Sequence, residues 1–135
     1  MERLKNTAPI FIGEENEMKD FNGEIQYKDK TLKLVFNLNV MENIQNEYET
    51  IENWGALTDG SENKGEPNAK AVIFGFREMI NEGIDIQNEE NGTNEPFLTL
   101  KQVGRIITEV GLANATKVLN DTVIESTKDD ELKNE

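Results

Sequence analysis

The chain contains no cysteine and no histidine. Without cysteine there is no disulfide framework, no thiolate metal site and no sulfur nucleophile. Without histidine the serine–histidine pair, the usual zinc ligands and the side chain best suited to proton transfer near neutral pH are missing as well. Long hydrophobic runs are also lacking: no stretch approaches the 18 or so apolar residues of a membrane span, and the apolar group at residues 9–12 is too short for a signal-peptide core. These absences point to a protein of the cytoplasm that is not an enzyme. Positive charge is scarce. There are 14 basic against 27 acidic side chains, a formal charge of −13, which repels nucleic acid and anionic membranes alike and otherwise serves solubility.

At 135 residues the chain fits one domain around one core. An apolar share of 36% beside a charged share of 30% is lean, so part of the chain is expected to be mobile or to be ordered by a partner. Residues 1–20 read as a flexible arm, with Ile10, Phe11 and Ile12 followed by an acidic run. Residues 21–126 read as the folded domain, and 127–135 as a disordered acidic tail.

Alternation dominates from Phe21. Ile25 and Tyr27, then Leu32, Leu34, Phe36 and Leu38, fall at every second position, which predicts a β-hairpin turning at Lys28, Asp29 and Lys30. Helical spacing follows. Asn39 and Glu42 read as a cap pair for a helix burying Val40 or Met41, Ile44 and Tyr48. Ile51, Trp54 and Leu57 continue into a second short helix, with Thr50 kinking the two or capping the second. Trp54, the one tryptophan, reads as a core anchor. Residues 59–68 form a loop by composition. The most apolar helix is expected over residues 69–81. Val72, Phe76, Met79 and Ile80 share one face, Ile73 and Phe74 broaden it, and Gly83 closes it ahead of an acidic connection over 84–97.

The strongest local signal lies at residues 98–126. Thr99 and Gln102 form a capping box flanked by Leu98 and Val103. Val103, Ile106, Ile107 and Val110 share one face, with Lys101, Arg105 and Glu109 on another, and Gly111 supplies the stop. The second arm carries Leu112, Ala115, Leu119 and Val123, widened by Val118 and Ile124. The predicted class is α+β, mainly α: an N-terminal β-hairpin packed on about four to five helices that end in a helical hairpin.

No constellation carries chemistry. Aligning Gly92 with the obligatory EF-hand glycine puts Gln87 and Leu98 where acidic ligands belong, so a calcium loop fails at both ends. The remaining carboxylates, Asp85, Glu89, Glu90 and Glu95 among them, sit in polar stretches where neither member of a pair would be tuned for acid–base work. Gly60, Lys64 and Gly65 lack the order of a phosphate loop. The two closing helices could be taken for a DNA reader, but the second offers Lys117 alone beside Asp121 and Glu125. No cofactor, metal or catalytic residue is expected.

The succession NVMENIQNEYETIENWGAL, AVIFGFREMINEGIDIQNEENG and LTLKQVGRIITEVGLANATKVLNDTVIES, over roughly residues 32–126, resembles the tail assembly chaperones of siphophages and prophages of Gram-positive bacteria, in texture and order of elements rather than in any one motif. The resemblance implies a non-enzymatic, largely helical protein of the host cytoplasm. Such a protein binds the tape measure protein, keeps it soluble, helps bring tail tube subunits to it and is not retained in the mature virion. Self-association is compatible with that role; nucleic acid and membrane are not expected partners. An apolar client needs apolar grooves, and the stripes wider than a two-layer core requires nominate Phe74, Met79, Ile106 and Ile107 as the client-binding surface. The competing reading is an acidic regulatory protein of phage or prophage origin that imitates DNA.

Overall fold

The computed structural model describes residues 22–134, so the expected N-terminal arm lies outside the described residues. Strands β1 (Asn22–Tyr27) and β2 (Lys30–Val35) form an antiparallel hairpin in which Ile25 faces Leu32 and Gly23 faces Leu34. Five helices follow: α1 (Leu38–Tyr48), α2 (Ile51–Thr58), α3 (Ala69–Asn91), α4 (Leu100–Val110) and α5 (Leu112–Asn134). This is the mainly helical α+β architecture that the patterning predicts.

The hairpin turns on Lys28 and Asp29 alone, with Lys28 at φ 57°. Alternation along β2 buries Leu34 and Phe36 but does not extend to Leu38, which opens α1 and is 76% exposed. The reason is a cap two residues earlier than expected. The Asn37 side chain accepts from the Val40 amide at 3.2 Å and turns the chain into a helix before the alternation is complete. Thr50 caps α2 by accepting from the Asn53 amide at 2.9 Å.

Gly83 does not close α3. The helix runs on to Asn91 and stops at Gly92, which takes the left-handed conformation at φ 66°. Gly83 is instead a contact point, since a Cβ there would sit 2.9 Å from the Lys33 carbonyl oxygen of β2. Its bare backbone lets helix and hairpin approach, and the cost of a glycine inside a helix is offset by that packing. Nor is 127–134 irregular, because α5 continues through it. No glycine or proline follows Gly111 in the sequence, and the closing Lys, Asp and Glu residues are tolerated in a helix, so nothing local breaks it.

One core joins all these elements. Ile25 and Leu34 of the hairpin meet Ile44 of α1, Trp54 of α2, Phe76 and Met79 of α3, Val103 of α4, and Ala115 and Leu119 of α5. The Trp54 indole N–H donates to the Ala71 carbonyl at 3.0 Å, which satisfies its one polar atom inside the core. The capping box forms as expected. Thr99 Oγ1 accepts from the Gln102 amide at 3.1 Å, and Gln102 Oε1 accepts from the Thr99 amide at 2.9 Å. α4 then packs chiefly on α3, while α5 lies mainly across β1. The buried stripe of α5 includes Thr116 and Thr122, whose hydroxyls donate to the carbonyls of Leu112 and Val118 at 2.8 Å each. That local bond removes their polarity from the core, whereas Leu112 and Ile124, expected in the stripe, are exposed.

Candidate functional site

Two asparagines one heptad apart fix the connection between α3 and α4. Asn81 exchanges hydrogen bonds with the backbone of Leu98, at 2.8 and 3.0 Å. Asn88 accepts from the Glu95 amide at 2.9 Å and donates to the Glu95 carbonyl at 3.1 Å. These side chains satisfy backbone groups that a loop would otherwise leave to water. They lay residues 93–99 back along α3, so that α4 starts beside the middle of α3 and leaves a trough along the seam.

The larger part of that trough has a volume of about 940 Å³. Ile73 and Phe74 of α3 and Leu100 and Gly104 of α4 form its apolar floor. Gly104 keeps the floor open, for the nearest atom to a Cβ built there is Ile73 Cδ1 at 3.7 Å. Phe74 is held from two sides: its ring meets Tyr48 edge-on at 5.6 Å, and the Arg77 guanidinium lies over it at 5.6 Å. Lys70, Arg77, Lys101 and Arg105 stand on the rim. Four of the chain's 14 basic residues therefore surround one groove of a protein with a formal charge of −13. Among the described residues only Arg77 of the four has an ion pair, with Glu78 at 2.7 Å.

A second, smaller hollow of about 670 Å³ continues the trough toward the C-terminal half of α3. It shares Arg77, Leu100 and Lys101 with the first and adds Glu82, Asp85 and Phe97. Phe97 is 54% and Leu100 45% exposed, so two large apolar side chains face solvent along this line. Glu82 is held toward α1 by Asn37 and Asn39 at 2.8 and 3.2 Å, and Glu78 by Asn43 at 2.7 Å.

Of the four side chains nominated from the sequence, Phe74 alone lies on this surface. Met79 is fully enclosed, and Ile106 and Ile107 keep only 4% and 5% of their area. The stripes are wide because core and groove share the same helices. On α3 the face carrying Phe76 and Met79 turns inward, and the broadening pair Ile73 and Phe74 forms the groove. Sequence reasoning missed Leu100, Gly104 and the cationic rim. The signal was present in the spacing: Lys70 and Arg77 are two turns apart, and Lys101 and Arg105 one turn apart, so each pair shares a helix face.

Tyr48 borders this region with a buried hydroxyl that has no hydrogen-bond partner among the described residues. Burial pushes its pKa above the usual tyrosine value, and neighbouring Glu47 adds to the effect. A raised folded-state pKa means stability that is complete below the unfolded value of about 10 and is lost as pH climbs through the folded one. Tyr48→Phe is expected to be neutral or to stabilise by up to about 1 kcal/mol near neutral pH and to lose less stability than the parent above pH ~10. Urea titrations at the two pH values check this. Elsewhere, Asp59 is held below the usual carboxylate range by the Ser61 backbone amide, then by its hydroxyl, and is a loop feature remote from the trough.

Among the described residues no group of three or more Asp or Glu side chains is arranged to hold a metal ion, and no helix is long and apolar enough to cross a membrane. No protein-family model, curated protein or solved structure matches the chain.

Proposed function

We propose that this protein is a phage tail assembly chaperone. It binds helical segments of a tape measure protein in the α3–α4 trough, keeps that protein soluble in the host cytoplasm, helps recruit tail tube subunits, and is not retained in the mature virion. The observation that carries this reading is the apolar floor of Ile73, Phe74, Leu100 and Gly104 left open between two well-packed helices. An amphipathic helix laid in an apolar groove is a common mode of peptide recognition, and it needs no catalytic group. The resemblance of residues 32–126 to tail assembly chaperones supplies the client. The acidic surface away from the trough keeps a complex with a long apolar client in solution. In this reading the protein is not an enzyme.

Co-expression with a tape measure protein tests the proposal. A soluble complex that survives high salt is the expected result, because burial of apolar surface is not screened by ions. A tape measure protein that stays insoluble beside abundant chaperone would refute it. The −13 charge favours a second reading, an acidic protein that occupies a nucleic-acid-binding partner in place of DNA. That complex would weaken steeply as salt rises.

A further inference from the structure

The trough is electrically polar along its length. At the Lys70 end stand Lys70 and Arg105, with Arg77 and Lys101 midway and Glu47 the one carboxylate lining that part of the groove, and at the other end Glu82 and Asp85. Lys70 to Asp85 spans about 22 Å of α3, the length of a helix of about 15 residues. Lys70, Lys101 and Arg105 have no ion-pair partner among the described residues. A strongly acidic chain thus gathers four cations around this apolar groove, three of them without an ion-pair partner among the described residues, and places carboxylates at the far end of the same line.

We infer that the trough selects one orientation of its ligand: an amphipathic helix of about four turns whose first half is acidic and whose last half is basic, seated with its N-terminus at the Lys70–Arg105 end. Three properties of such a helix match the surface at once. Its apolar stripe covers Phe74, Leu100 and Phe97. Its acidic residues meet the cations, and its basic residues meet Glu82 and Asp85. The order is also the one that a helix favours intrinsically, since acidic side chains complement the positive end of the backbone dipole and basic ones the negative end. The segment is therefore helix-prone before it binds, which reduces the ordering cost of docking. This inference rests on the reading of the trough as a client groove and adds the chemistry and polarity of the client.

Two labelled 15-residue peptides test it. They carry the same apolar stripe and the same overall composition, one acidic-first and basic-last, the other in the reverse order. Both are locked helical by a side-chain crosslink on the solvent face, so that intrinsic helicity does not differ. Fluorescence polarisation against the whole protein should show the acidic-first peptide binding about tenfold more tightly, since several exposed charge pairs each contribute well under tenfold. In about 1 M salt the difference should collapse. In the double variant Lys101→Glu, Arg105→Glu it should vanish or invert, with helicity by circular dichroism confirming the fold. Equal binding of the two orders, the opposite preference, no saturable binding of either, or a preference that survives in the double variant would overturn the inference. If the peptides bind alike while a tape measure protein is still kept soluble, the chaperone reading stands and the polarity falls. If the peptides discriminate but co-expression fails, the reverse holds.

Discussion

Trp54→Ala should destabilise the protein by about 3–5 kcal/mol, the range for truncating a large buried aromatic. The effect should exceed simple loss of area for two reasons. Trp54 and Thr58 are the only buried residues of α2, and an eight-residue helix has little stability apart from its packing. The indole N–H also anchors α2 to α3 through the Ala71 carbonyl. A loss of this size is a large fraction of the roughly 5–15 kcal/mol available to a domain. Urea denaturation followed by circular dichroism reads it directly, and a change below about 1 kcal/mol would mean that Trp54 is not the anchor described.

Gly75→Ala is the second large effect, and its sign is informative. Helix propensity alone favours alanine by about 1 kcal/mol. At this position, however, a Cβ would collide with Cζ2 of Trp54 and lie 2.9 Å from Cε2 and 3.0 Å from Nε1. The indole cannot retreat without breaking its bond to Ala71, so overpacking of about 1–3 kcal/mol or more outweighs the propensity gain. A net loss of up to about 2 kcal/mol is expected from these two magnitudes. Gly104→Ala in α4 is the control: its Cβ meets nothing nearer than 3.7 Å, so propensity should win and the variant should gain about 0.5–1 kcal/mol. Thermal melts of both variants decide the matter. Two shifts of the same sign would contradict the packing described for α3.

The contrast between these glycines explains what was legible in the sequence and what was not. A cap is a local event, so Thr99, Gln102 and Gly111 could be read from spacing, and so could the alternation of the hairpin and the burial of Trp54. Gly83 carried the signature of a helix stop, but its role is set by Lys33, fifty residues away, and no local pattern records that approach. Asn81 and Asn88 fall in a stretch that composition assigns partly to a loop. Their amides instead brace that loop from within a helix, by bonds to Leu98 and Glu95. Thr122 looks polar in the sequence and is buried because its hydroxyl is satisfied one turn back. The candidate site was half legible for a related reason. Helical spacing shows that a stripe is wide, but which edge faces the core depends on where the next helix lands. Where α4 lands on α3, Met79 and Ile107 are in the shared core and Phe74 is left beside the groove.

The most direct test of the account is the affinity of a purified tape measure segment for the parent protein and for Leu100→Asp. Leu100 is 45% exposed, lies on the groove floor and is the first residue of α4. An acidic side chain there suits the helix terminus, and the fold should be unaffected, while a carboxylate in the apolar floor must be desolvated when a client docks. Calorimetric titration should show saturable binding to the parent and a loss of tenfold or more, about 1.4 kcal/mol, in the variant at unchanged melting temperature. Equal affinity for both proteins would contradict the trough as the client site.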